Sequence, residues 1–189
     1  MNADSKKTNA VLTEFEAKQF LKPYGVSVVD EVVAKTAAEA VKAAEKIGFP
    51  VVLKGLGKEL LHKTELQLVH LNLNDAVSVE AAAGIIEKNA GKKLEGFLVQ
   101  PQIAGKREFV AGLFRDDQYG PVVMFGLGGI FTEVLSDVSF RLAPLTESDA
   151  KDMIAEIRSS AMLGAFRGES AVDEKQLIQT LMGLSRVGM

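Results

Sequence analysis

Along most of the 189 residues, apolar positions recur either every three to four places or every two, and the changes of period mark the elements. Thr13-Glu14-Phe15-Glu16 reads as a capping box, in which Thr13 and Glu16 satisfy each other's free amides at a helix start. That helix is expected to run to about Tyr24 and to close on Gly25, which adopts left-handed backbone readily. Val26 to Ala34 is rich in β-formers and predicts an extended run. A second box, Thr36 to Glu39, opens a helix with Ala40, Ala43, Ala44 and Ile47 on one side, closed by Gly48. Phe49-Pro50 leads into a short apolar strand, Val51-Val52-Leu53, ending on Lys54, and residues 55–67 read as loop. Leu68 to Leu73 alternates, with Val69, Leu71 and Leu73 facing one way, as in a half-buried strand. A helix from about Ala76 to Lys88 ends at Asn89-Ala90-Gly91.

The second half is richer in strands. Gly96 to Ile103 and Glu108 to Arg115 flank Ala104-Gly105-Lys106 and predict a hairpin. Asp116 to Gly120 turns the chain into a strand, Pro121 to Phe125, which enters Gly126-Leu127-Gly128-Gly129. Helices are expected over Glu147–Ser159 and Asp173–Arg186. The pattern divides into a disordered tail, residues 1–10, an N-terminal lobe over 11–94 and a second lobe over 95–189.

Composition narrows the function classes. The chain is 47% hydrophobic and 25% charged, as in an ordinary globular protein. The longest nearly uncharged stretch, Tyr119 to Phe131, is too short and glycine-rich to cross a bilayer, and the first nine residues have no apolar core of the signal-peptide kind. A net charge of −3 gives no long-range attraction for nucleic acid or anionic membranes. No cysteine is present, which excludes disulfides and thiolate chemistry and agrees with a cytoplasmic location. With His62 and His70 as the only histidines, a multi-histidine metal site is excluded.

A few residues carry possible chemistry. Lys54, at the end of a buried strand, presents a cation of the kind that binds phosphate, although strand-end lysines are often merely solvated. Gly126-Leu127-Gly128-Gly129 lets backbone amides approach an anion, yet serves equally as a tight connector, and it lacks the Lys-Ser/Thr ending of a P-loop. His62 lies in the polar loop Leu61-His62-Lys63-Thr64-Glu65, where a neutral imidazole has room to move and act as a nucleophile. His70 reads as structural or solvated. Glu108 suits the hydroxyls of a ribose, against a bland reading as a salt bridge to Arg107 or Lys106.

Read in order, these signals form a family pattern. The chain resembles the ATP-grasp subunit or domain of NDP-forming (ADP-forming) acyl-CoA synthetases, relatives of the succinyl-CoA synthetase β subunit. Matching segments include Glu14-Phe15-Glu16-Ala17-Lys18, Gly48-Phe49-Pro50-Val51-Val52-Leu53-Lys54, His62-Lys63-Thr64-Glu65, Leu98-Val99-Gln100 and Arg107-Glu108-Phe109-Val110-Ala111-Gly112. The most specific stretch is Gly120 to Leu145, and the likeness covers about residues 11–188.

The resemblance implies an α+β ATP-grasp fold, two α+β lobes with a nucleotide cleft between them, and ATP or ADP with Mg²⁺ as cofactors. It assigns nucleotide phosphates to Lys54, adenine to the backbone of Gln100, Pro101, Gln102 and Ile103, and the ribose side to Glu108. Gly128, Gly129 and Glu133 fall in the loop facing the phosphates, and His62 matches a histidine that relays phosphate to ADP. It also implies a partner, a CoA-binding subunit or domain carrying the first phosphohistidine. The reaction expected is acyl-CoA, ADP and phosphate to acid, CoA and ATP. The alternatives are a succinyl-CoA synthetase-like ligase and a non-catalytic nucleotide-sensing regulatory module. Two departures stand out. Gln67 and Leu68 replace a family Gly-Gly pair, with bulk that would hinder backbone approach to a phosphate. The chain also stops at Met189, before the family's metal-binding Asp-x-Asn-Pro strand, and the metal ligands are unassigned.

Overall fold

Side-chain capping sets the helix starts in the computed structural model, which describes residues 11–60, 63–105, 107–129, 136–165 and 168–189. Thr13 N donates to Glu16 Oε2 at 2.8 Å and Glu16 N to Thr13 Oγ1 at 3.3 Å, opening α1 (Glu14–Leu21). A 3₁₀ turn, Lys22–Tyr24, carries the chain to Gly25 at φ 89°, the expected left-handed stop. Thr36 caps α2 (Ala37–Ile47), and an Asp75–Ser78 box caps α3 (Ala76–Ala90).

The chain divides into two units, one of Met1–Gln19 and Val29–Ile103, the other of Phe20–Val28 and Ala104–Met189. In the first, β1 (Val32–Ala34), β2 (Val51–Leu56), β3 (Val69–Leu73) and β4 (Gly96–Pro101) form an antiparallel sheet in the order β1-β4-β2-β3. Ala40, Ala43 and Ala44 of α2 and Val79, Ala82, Ala83 and Ile86 of α3 join Val51, Leu53, Phe97 and Val99 in one core. The small alanines bring the helices close, and the larger side chains each contribute about 1.5–3 kcal/mol by burial.

In the second unit, β5 (Phe109–Asp116), β6 (Gly120–Leu127) and β7 (Val138–Leu142) pair antiparallel in sequence order. Val123 and Phe125 meet Met153 and Ile154 of α4 (Glu147–Glu156) and Leu181 and Leu184 of α5 (Glu174–Gly188). Phe109 stacks on Phe125 with centroids 5.8 Å apart. Leu21 and Val26 pack on this core, and Arg186 donates to the Tyr24 carbonyl, which is why residues 20–28 belong here.

Several expectations from the pattern are corrected. The extended run Val26–Ala34 contains only the three-residue β1. β2 continues through Gly55 to Leu56, so Lys54 lies within the strand and not at its end. β4 supplies the centre of the first sheet, between β1 and β2, so the division falls after Ile103 and not after residue 94. For the same reason β4 and β5 are no hairpin: they belong to different sheets, and the segment between them links the units. Leu71 is 56% exposed, because a register shift against β2 and a left-handed Asn72 (φ 55°) interrupt the alternation. β7 escaped the pattern reading. α4 stops at Glu156, where Ile157 turns extended and a 3₁₀ helix, Arg158–Leu163, follows. Residues 1–10, expected as a tail, lie outside the described residues, and among those described no helix is long and apolar enough to cross a membrane.

Candidate functional site

The first unit gathers charge around Glu14. This residue opens α1, so its side chain projects from a helix start, while Lys18 follows one turn later on the same side. Glu14 Oε1 accepts from Lys54 Nζ at 2.6 Å and from Lys18 Nζ at 2.9 Å, and Lys63 Nζ lies 3.5 Å from Oε2. Lys18 also donates to Glu31 Oε2 at 2.8 Å and reaches Gln100 Oε1 at 3.5 Å. The Glu31 side chain is 1% exposed, and its Oε1 has no hydrogen-bond partner among the described residues. Three ammonium groups thus meet two carboxylates, a surplus of one positive charge.

Burial pushes the Glu14 carboxyl up, but hydrogen bonds and charge from Lys54 and Lys18 outweigh it and hold it down at about 2. Burial likewise depresses Lys18, and the Glu31 and Glu14 carboxylates reverse that, leaving its pKa raised. Both groups stay charged over the physiological range. A partly sheltered cluster with surplus positive charge attracts a second anion, and phosphate oxygens suit ammonium donors.

The same sheet offers a backbone edge. Gln102 N donates to Pro50 O at 3.0 Å, so Gln102 faces β2, as does Gln100 opposite Val52. Antiparallel alternation then turns the Pro101 carbonyl and the Ile103 amide to the other edge, where pairing with β1 ends at Val99. An acceptor and a donor two residues apart match the amino group and a ring nitrogen of adenine.

The loop before β3 is anchored by Leu68 N to Lys63 O at 2.7 Å and Gly55 N to Leu68 O at 2.8 Å. Gln67 has φ 53°, and Leu68 is fully buried in the first core. At the first position a glycine would relieve left-handed strain of about 1 kcal/mol, while the second takes a core side chain. The expected obstruction at Leu68 is therefore corrected: its bulk lies in the core. His70 Nε2 meets Gln67 O at 3.0 Å, the structural role expected of it.

In the second unit, Glu108, Gly128 and Gly129 come together. Gly128 N donates to Glu108 O at 2.8 Å, and a Cβ on Gly128 would stand 2.8–3.0 Å from the Glu108 and Phe109 backbone. Gly129, at φ 70°, lies against the Glu108 carboxylate. Arg107 does not pair with Glu108. Its guanidinium binds Glu169 at 2.9 Å and the carbonyls of Met162, Gly164 and Ser170, tying these four residues to the segment just before β5. His62, Lys106 and Glu133 lie outside the described residues. Sequence reasoning missed Glu14, Lys18 and Glu31 as members of a site. The i,i+4 spacing of Glu14 and Lys18 was the available signal, whereas Glu31 sat in a stretch misread as strand.

Comparison with known proteins gives consistent results. A family model described as an ATP-grasp domain matches residues 3–189. The chain is 40% identical to the acetate–CoA ligase [ADP-forming] II subunit beta of Pyrococcus furiosus, covering 93% of this chain and 77% of that one. It is 39% identical to the 4-hydroxybutyrate–CoA ligase [ADP-forming] of Nitrosopumilus maritimus, covering 96% of this chain but 27% of that longer protein. Among solved structures, the dinucleotide-forming acetyl-coenzyme A synthetase 1 of Ca. Korarchaeum cryptofilum, with coenzyme A and Ca-AMPCP, superposes with TM-score 0.88 at 42% identity over 94% of this chain and 80% of that one. A second structure of that protein, with coenzyme A, Mg-AMPPCP and a phosphohistidine segment pointing towards the nucleotide site, gives TM-score 0.79 at 40% identity over 93% and 77%.

Proposed function

Because the chain belongs to the ATP-grasp family, among the β subunits of ADP-forming acetate–CoA ligases, we propose that it is the nucleotide-binding part of an ADP-forming acyl-CoA synthetase. With a CoA-binding partner, it converts acyl-CoA, ADP and phosphate to acid, CoA and ATP. The observation that carries this reading is the convergence of Lys18, Lys54 and Lys63 on one carboxylate, with Lys18 also reaching Gln100 of β4. Lys54 and Lys63 bind the nucleotide's phosphates, and the Pro101 carbonyl and Ile103 amide read adenine. Glu108 takes the ribose hydroxyls, and the amides of Gly128 and Gly129, with Glu133, face the phosphates.

His62 receives a phosphoryl group from a phosphohistidine of the partner and passes it to ADP. In each transfer a P–N bond breaks and its ring nitrogen keeps the electron pair; the bond formed is P–N to His62 in the first and P–O to the terminal ADP oxygen in the second. The lysines neutralise charge and fix the line of attack, which supplies most of the rate in such transfers. The lysine cluster fits a polyphosphate. Among the described residues no three His, Asp or Glu side chains gather as a metal site, so Mg²⁺, which neutralises phosphate charge when present, is assigned no protein ligand. The ligase names of the relatives favour catalysis over a nucleotide-sensing module. The test is ATP formation from acetyl-CoA, ADP and phosphate by the chain with its CoA-binding partner. Wild type makes ATP and His62→Ala does not; equal rates would remove His62 from the relay.

A further inference from the structure

Within the lysine cluster the counter-ions are unequally distributed. Lys18 is held three ways, by Glu14, by the buried Glu31 and by Gln100, which accounts for all three of its donors. Glu31 in turn has no other cation among the described residues, so Lys18 cannot leave it without stranding a buried charge. Lys54 and Lys63 are different. Among the described residues each is paired only with Glu14, at 2.6 and 3.5 Å, and each keeps two ammonium hydrogens for another acceptor.

Glu14 therefore stands where an anion would stand. A phosphate oxygen bound to Lys54 opposite Glu14 would lie about 5 Å from that carboxylate, close enough for strong repulsion in a partly sheltered site. The carboxylate has a second place to go, because Lys18, on its own helix, is fixed beside it at 2.9 Å.

We propose that Glu14 is a resting counter-ion which Lys54 and Lys63 exchange for a phosphate group of the nucleotide, the Glu14 carboxylate withdrawing onto Lys18. The exchange rests on the assignment of Lys54 to phosphates made above and adds a residue that weakens nucleotide binding. It keeps Lys54 and Lys63 extended without ligand, and it makes the site selective for anions strong enough to displace a carboxylate. A dianionic phosphate meets that condition and a monoanion does so poorly.

The test is calorimetric titration of the full chain with Mg-ADP, with tripolyphosphate and with adenosine. Glu14→Gln removes the competing charge but keeps a side chain that accepts hydrogen bonds from Lys18. It should tighten ADP and tripolyphosphate about three- to tenfold, the size of two partly exposed ion pairs, and leave adenosine unchanged. Glu14→Asp, with the charge kept and the reach shortened, should give a smaller gain and serves as the readout if Glu14→Gln melts early. Unchanged or weaker ADP binding by a folded Glu14 variant, with Lys54→Ala still impairing it, overturns the exchange alone. If Lys54→Ala binds ADP like wild type, the phosphate assignment itself falls.

Discussion

The two units hold their candidate residues by different means. The first arranges charged side chains: Glu14, Lys18, Lys54 and Lys63 come from a helix, a strand and a loop and are held by each other's charge. The second relies on backbone: Gly128 presses against the main chain of Glu108 and Phe109 so closely that no side chain fits between them, while Gly129 lies against the Glu108 carboxylate. A charge cluster tolerates side-chain adjustment and responds to pH. A backbone contact does neither, and it is sensitive to a single methyl group. The units should therefore fail under different perturbations.

Among the candidate site residues the largest effect is expected at Gly128. A Cβ there meets main-chain atoms of Phe109, the first residue of the paired β5, and of Glu108 just before it, whose carbonyl accepts from the Gly128 amide. Gly128→Ala should cost roughly 3 kcal/mol of stability, read as a lower denaturant midpoint, through overpacking. A change under about 0.5 kcal/mol would mean that the glycine loop is not fixed by this contact.

Acid should act on the other unit. Glu14 has its pKa lowered from 4.5 to about 2, so its ion pairs contribute stability above pH 4.5 that is lost as pH falls towards 2. Solvent screens the partly exposed carboxylate, which brings the contribution to about 1–2 kcal/mol. Glu14→Gln should flatten this part of the pH–stability curve, measured by urea unfolding between pH 5 and 2. An unaltered slope would show that other carboxylates dominate acid sensitivity.

The smallest effect belongs to Gln67, in the loop before β3. Gln67→Gly relieves a left-handed backbone but loosens the unfolded chain, and the two nearly offset, leaving a gain of about 0–0.5 kcal/mol. Leu68→Gly at the neighbouring position should instead cost about 2–5 kcal/mol, because it empties a core site. Equal effects at the two positions would contradict the distinction drawn between them.

The same contrast decides what could be read from sequence. Helix starts were legible because capping depends on residues three apart, as at Thr13 and Glu16. Lys54, Glu108 and the glycine loop were legible as unusual residues in or next to strands. The Glu14 cluster was not, since Lys18, Lys54 and Glu31 meet only after folding brings distant segments together. The placement of β4 was missed for a similar reason: local pattern marks a strand but not its neighbours, and a short turn-like segment after Ile103 suggested a hairpin where the chain changes sheet. β7 escapes the pattern because its alternation is inverted, with polar Ser139 buried while Phe140 and Leu142 are exposed.

The central claim is that Lys54 receives nucleotide phosphate, and comparing ADP with adenosine tests it most directly. Calorimetry on wild type and Lys54→Ala should show ADP weakened about 10- to 30-fold by loss of a charge-assisted contact, with adenosine affinity unchanged. Equal ADP affinity in the two proteins, or equal weakening of ADP and adenosine, would contradict the account.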